Sequence, residues 1–170
     1  MTKLDLGAGK TKQEGWTSVD IRPEFGADVT CDLGNEKWPW EDASIEEARA
    51  SHFLEHLTPP QRVHFANELH RVLMPGRSCT IITPHWASCR AYGDMTHQWP
   101  PVSEFWYFYL NTEWRATNAP HNVDYTCNFG FTMSHSLHPE WSVKSQMTAQ
   151  FAAEHYVEAR QDLVATVTKL

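Results

Sequence analysis

Nothing in this 170-residue chain runs apolar for about 18 residues, so no segment is expected to span a membrane. Met1-Thr2-Lys3-Leu4 enters an apolar stretch too short for a secretory leader, and none is expected. Cysteine is sparse and lacks paired spacing. Cys31, Cys79, Cys89 and Cys127 lie far apart, which excludes a zinc ribbon and supplies no disulfide framework. A reducing cytoplasm is therefore the expected compartment. Positive charge is also short: 14 Lys and Arg face 21 Asp and Glu, a formal net charge of -7. That sign disfavours nucleic acid, a polyanion, as the main partner. No internal repeat, linker or low-complexity segment breaks the chain. Hydrophobic residues at 41% and charged residues at 21% exclude disorder. A chain of this size buries roughly 70% of its unfolded surface, so its core needs no disulfide staples.

What is present is a series of short apolar runs divided by turn signals. Strands are expected over Lys3–Leu6, Thr17–Ile21, Asp28–Leu33, Ile45–Phe53 and Ser78–Thr83. One strong helix follows Thr58 as N-cap, with Pro59 at its first position. Its apolar residues Val63, Phe65, Ala66, Leu69, Val72 and Leu73 recur at helical spacing, and Pro75-Gly76 is expected to stop it. A helix crossing between apolar strands implies a mostly parallel, doubly wound sheet. Further on, a short helix is expected over Val102–Leu110, a strand over Asp124–Leu137, one helix over Glu140–Ala159 and a last strand over Gln161–Leu170.

Asp5-Leu6-Gly7-Ala8-Gly9 follows the first strand directly, and glycines there let a ligand lie against bare backbone. Asp20 closes the second strand, where an acid can accept from both hydroxyls of a ribose. Asp32, near the end of the third strand, is placed to accept from an adenine amine. Strand tips converge on one crevice in this architecture.

Two other motifs fail their own requirements. Gly9-Lys10-Thr11 resembles the tail of a phosphate loop, but the glycine needed at position 4 is Leu4, and Gly15-Trp16 leaves no room for the helix. His52-Phe53-Leu54-Glu55-His56 matches H-x-x-E-H, a zinc-hydrolase signature. That reading needs both imidazoles one turn apart on a helix, whereas His52 ends a strand-like run and Thr58-Pro59-Pro60 begins the next element. No metal is expected.

In order, Leu4–Gly9, Gly15–Ile21, Ala27–Leu33, Trp38–Ser44, Ala50–Leu57, Leu69–Gly76 and Gly93–His97 resemble class I S-adenosylmethionine-dependent methyltransferases. The subgroup they are most similar to is the small bacterial and phage type with a shortened first crossover. The resemblance covers residues 3–115, about two thirds of the chain. It departs at Thr11, where the third glycine of the loop usually stands, and in having only residues 10–16 for the first crossover. It implies a single Rossmann-like α/β domain over residues 1–170, with a mostly parallel sheet and an antiparallel C-terminal strand. Residues 1–85 would be the cofactor-binding half and residues 86–170 the acceptor-side half. The implied cofactor is S-adenosyl-L-methionine, held by Asp5, Gly7, Ala8, Gly9, Asp20, Ile21, Asp32, Leu33, Ser51 and His52.

For the acceptor side, His97 and Asp94 are the candidate catalytic pair. An acceptor with a protonated oxygen or nitrogen needs a base, and His is partly neutral at cellular pH. The same two residues could instead only pin their loop. The cluster Trp99, Phe105, Trp106, Tyr107, Phe108, Tyr109 and Trp114 also has two readings. Phe105, Phe108 and Tyr109 form a helical face suited to the core, or Trp106 or Tyr109 lines a pocket where a ring face attracts a sulfonium. Trp38 and Trp40 could flank an adenine. Residues 90–106 are expected to form a lid over the acceptor. The expected acceptor is a small molecule or a peptide group. A non-catalytic cofactor-binding subunit is the main alternative, and a hydrolase using His52, Glu55 and His56 a further one.

Overall fold

The first strand, β1 (Lys3–Leu6), buries Leu4 and Leu6 completely and sits mid-sheet. The computed structural model describes residues 2–170. Beside β1 run β2 (Thr17–Asp20) and β4 (Ile45–Ser51), both parallel to it, with β3 (Val29–Thr30) outside β2 and β5 (Leu73–Pro84) outside β4. Two antiparallel strands complete the sheet: β7 (Arg160–Lys169) pairs with β5, and β6 (Phe129–Leu137) pairs with β7. The order is β3-β2-β1-β4-β5-β7-β6. The chain leaves β1 toward one side and β4 toward the other, so a crevice opens at their carboxyl ends. The sheet is thus the doubly wound, mostly parallel α/β arrangement that the apolar runs imply.

Helix α1 (Pro59–Val72) begins as its sequence dictates. Thr58 is the N-cap, Gln61 Oε1 returns to the Thr58 N–H at 2.9 Å, and two prolines fill the first turn, where no N–H is needed. Its buried stripe, Phe65, Ala66, Leu69 and Val72, covers the sheet. The helix ends before Pro75-Gly76 is reached. The chain passes straight into β5 at Leu73, and Pro75-Gly76 occupies a bulge, with Gly76 at φ +73° and the β4 register jumping from Leu73 to Ser78.

Other boundaries are set by side chains from afar. The strand expected from Asp124 starts only at Phe129, because Asn67 of α1 holds the preceding segment: its Nδ2 donates to Asp124 O, and its Oδ1 accepts from the N–H of Thr126 and Cys127. The single helix expected over 140–159 is two, α5 (Pro139–Ser142) and α6 (Gln146–His155), because Ser145 caps a new start by accepting from Thr148 N. Three short helices complete the chain: α2 (Arg90–Gly93), α3 (Glu104–Phe108) and α4 (Thr112–Asn118). No helix of the described residues is long and apolar enough to cross a membrane.

Candidate functional site

The glycine loop closes on β2. The N–H groups of Gly7 and Ala8 both donate to Val19 O, at 2.9 and 3.0 Å. Asp20 is 8% exposed; its Oδ2 accepts from Gly9 N and its Oδ1 from Arg22 N, each at 2.9 Å. One carboxylate therefore ties the loop after β1 to the turn after β2, and each oxygen keeps a lone pair for another donor.

The two glycines have different reasons. At Gly7 (φ +71°) a Cβ would stand 2.2 Å from the Phe53 ring, so close packing excludes any side chain. At Gly9 (φ +60°) a Cβ would meet nothing within 4 Å. The space before Gly9 belongs to a cleft of ≈ 400 Å3 bounded also by Asp20, Ile21, Phe25, His52 and His56. Bare backbone, a carboxylate and apolar surface from Ile21 and Phe25 together suit a polar ligand with a flat, apolar part.

Not every residue expected at this cleft lines it. Asp5 lies buried in β1, paired with Arg49 at 3.2 Å; burial raises its pKa, and the guanidinium opposes the rise. Ala8 and Ser51 belong to the loop and to the end of β4 without bordering the cleft. Asp32 turns its carboxylate onto its own loop, accepting from Gly34 N at 3.0 Å and Asn35 Nδ2 at 2.8 Å. Leu33 is in the core, and its carbonyl accepts from Trp38 Nε1 at 3.2 Å. Trp38, 1% exposed, packs edge-on against Phe65 and Trp40, so it is a core residue and does not flank a ligand.

A second cleft, ≈ 710 Å3, adjoins the first and shares His52 and His56 with it. His52 takes φ +52° immediately after β4, which turns the chain into a 3-10 helix over Leu54–His56. Its pKa is raised, chiefly by the Glu55 carboxylate 3.3 Å from Nδ1. The opposite wall comes from α2 and the loop behind it: Arg90, Asp94, Met95 and His97. Asp94 Oδ1 accepts from Thr96 N and Oγ1, at 2.8 and 2.6 Å, and these bonds hold its carboxyl below the usual range. His97 is mostly buried, with Nδ1 3.3 Å from Ala91 O and Nε2 4.0 Å from Asp94 Oδ2.

Two features of this wall escaped the sequence reading. Arg62 of α1, 3% exposed, sends its guanidinium to the carbonyls of Leu54, Gln98 and Pro100, and so ties the Leu54–His56 turn to the loop after α2. The Gln98 N–H completes the clasp by donating to Glu55 O at 2.8 Å. A buried Arg on an amphipathic helix was the available signal, but its partners are remote in sequence. The second feature is the partner of His56. Its ring stands against His97, centroids 4.8 Å apart, rather than pairing with His52.

The aromatic cluster does not border either cleft. Tyr107 is fully buried and Trp106 donates to Tyr125 Oη at 2.9 Å, whereas Phe105 is 68% exposed. The core-facing residue of the short helix is therefore Tyr107. The expected face of Phe105, Phe108 and Tyr109 fails because this five-residue helix turns Tyr107 and Trp106 toward the core and leaves Phe105 outside.

No protein-family profile and no curated protein sequence matches the chain. Solved structures do. One is a SAM-dependent methyltransferase from Archaeoglobus fulgidus, with TM-score 0.70 and 17% identity over 99% of this chain and 86% of that one. A second is an S-adenosylmethionine-dependent methyltransferase from Mesorhizobium loti, with TM-score 0.57 and 16% identity over 99% and 90%. A third is the 1,6-didemethyltoxoflavin-N1-methyltransferase of Burkholderia thailandensis, solved with its substrate and S-adenosylhomocysteine, with TM-score 0.57 and 16% identity over 99% and 70%. The chain has the fold of the class I S-adenosylmethionine-dependent methyltransferases.

Proposed function

We propose that this protein binds S-adenosylmethionine in the cleft of Gly9 and Asp20 and transfers its methyl group to a small molecule or peptide group in the adjoining cleft. The observation that carries this reading is the shared wall: His52 and His56 border both clefts, so ligands in the two spaces meet there. Bound S-adenosylmethionine supplies an electrophilic methyl group on a sulfonium.

The chain's own residues provide the rest. Gly9 leaves room for the ligand against its backbone, and the free lone pairs of Asp20 accept from ribose hydroxyls. Ile21 and Phe25 give apolar surface for the base. Across the shared wall, His97 offers a ring nitrogen to an acceptor proton, and Asp94 orients the loop that carries it. The Arg62 clasp holds that loop over the acceptor cleft, so alignment of the two ligands contributes to rate as much as proton removal does.

Calorimetric titration with S-adenosylmethionine tests the cofactor half. Asp20→Ala is expected to weaken binding by about 1.5–3 kcal/mol, the value of hydrogen bonds to a charged group. Equal affinity in wild type and variant removes Asp20 from the site. Release of S-adenosylhomocysteine in the presence of candidate acceptors then separates an enzyme from a binding subunit.

A further inference from the structure

Glu55 is 4% exposed, yet neither of its carboxylate oxygens has a hydrogen-bond partner. His52 Nδ1 approaches Oε1 at 3.3 Å but out of hydrogen-bonding alignment, and Oε2 has no such neighbour. With the His52 ring 3.3 Å away as its one charged neighbour at ion-pair distance, this buried carboxylate keeps lone pairs free for a further cation. Two imidazoles converge on it: one carboxylate oxygen of Glu55 and one ring nitrogen each of His56 and His97 lie within 4.8 Å of one another. Ligands about 2.1 Å from a common zinc ion are about 3.4 Å apart in a tetrahedron. Binding would draw the three atoms together by up to about 1.4 Å.

The hydrogen bonds around both rings set them up as ligands. Thr96 Oγ1 gives its one proton to Asp94 Oδ1, so it can only accept from His56 Nδ1, 2.9 Å away. Ala91 O likewise can only accept from His97 Nδ1. With Nδ1 as the donor in both rings, the neutral form of each keeps its lone pair on Nε2. Outer hydrogen bonds of this kind orient metal-bound imidazoles. Asp94 Oδ2 lies 4.0 Å from His97 Nε2 and adds negative charge beside it.

A second triad in the fold shows the contrast. Glu104, between His85 and His135, accepts from both rings and from Trp86 Nε1, so its carboxylate is already satisfied. Of these two triads among the described residues, the Glu55 one joins a buried carboxylate free of hydrogen bonds to two imidazoles at a cleft.

We infer that Glu55, His56 and His97 bind one divalent transition-metal ion of the zinc class, with its open position toward the cleft bounded by Arg90 and Met95. This departs from the sequence expectation of no metal, which weighed His52 and His56 as the pair. Two imidazoles, one carboxylate and an open position suit an ion that takes a substrate atom as its fourth ligand. The ion's role rests on the methyl-transfer reading: it would hold the acceptor's oxygen, nitrogen or sulfur beside the shared wall and make its proton easier to lose to water, in place of proton uptake by His97. The site itself does not rest on that reading.

The test is titration of metal-free protein with zinc sulfate against a chromophoric chelator, with S-adenosylmethionine binding measured separately by calorimetry. One equivalent of zinc is expected. Glu55→Gln and His97→Ala should each weaken it by about tenfold or more, and His135→Ala should leave it unchanged. Circular dichroism identifies any variant that has lost its fold, and either of the two is then sufficient. No stoichiometric uptake by wild type overturns the site, as does equal uptake by folded Glu55→Gln and His97→Ala. Zinc uptake without S-adenosylmethionine binding supports the site and removes the methyl-transfer reading, whereas the reverse result removes the site alone.

Discussion

His56 and His97 stand edge to face, ring centroids 4.8 Å apart at 73°, although one follows β4 and the other follows β5. The loop carrying His97 is held in that position by buried Arg62 and by the Gln98 amide bond to Glu55 O. Because His56 also borders the glycine-loop cleft, this one contact joins the two halves of the proposed site.

The two loop glycines should fail in different ways. Gly7→Ala drives a Cβ into the Phe53 ring at a positive φ and is expected to cost about 1–3 kcal/mol or more of stability. Thermal denaturation reads this as a lowered Tm. Gly9→Val points its side chain into open cleft and should reduce S-adenosylmethionine affinity more than it reduces Tm. A Gly9→Val protein that binds as well as wild type moves the ligand away from this loop.

Arg62→Met should release the wall of the acceptor cleft. It removes a charged donor from three carbonyls at a cost of about 1.5–3 kcal/mol. Hydrogen exchange at the Gln98 amide, which donates to Glu55 O, should accelerate, while amides of β1 and β4 keep their protection. Unchanged exchange at Gln98 means the loop is held by something else.

Once an acceptor is found, His97→Ala should lower turnover by roughly 10²–10⁴-fold while leaving cofactor affinity nearly intact. The expectation follows from its place on the wall away from Gly9 and Asp20. Turnover within twofold of wild type would remove His97 from the chemistry.

Acid stability should depend on Glu104. Its carboxyl is held well below its ordinary value of 4.5, first by the hydrogen bond from His85 and also by that from His135, against the effect of burial. The folded state therefore binds this proton less readily than the unfolded state. Its contribution is full above about pH 4.5 and is lost as the pH falls below that value. Urea unfolding at a series of pH values should show a shallower acid limb for Glu104→Gln. Parallel limbs for the two proteins exclude this carboxylate as the source.

Thiol chemistry should single out Cys89, the exposed cysteine, because Cys31, Cys79 and Cys127 are buried. Burial also pushes Cys31 and Cys127 up to about 11. Cys89 is itself raised by Glu158, so its reaction should speed up as the pH rises past the ordinary thiol range. A disulfide-exchange reagent should report one fast thiol in folded protein and four after denaturation.

What the sequence determined by itself is whatever rests on near neighbours. The Thr58–Gln61 cap of α1 is local, and the positive-φ glycines and the acid at the strand ends are legible as residue types, although Asp20 bonds Gly9 and Gly7 packs on Phe53 from afar. The short apolar runs with a helix crossing between two of them likewise mark a mostly parallel sheet, whereas the antiparallel C-terminal edge, which holds two strands, follows from the family resemblance. What only the tertiary structure decided are the side chains whose partners lie far along the chain. Trp38 fills the core against Phe65 and Asn67 delays β6, neither of which a spacing rule encodes. The same holds at the site. The sequence around H-x-x-E-H argues against two imidazoles one helical turn apart, and the positive φ of His52 does turn the chain and send them to different neighbours. Glu55 and His56 meet His97 only because a parallel sheet brings the ends of β4 and β5 side by side, and Arg62 fixes the loop between them.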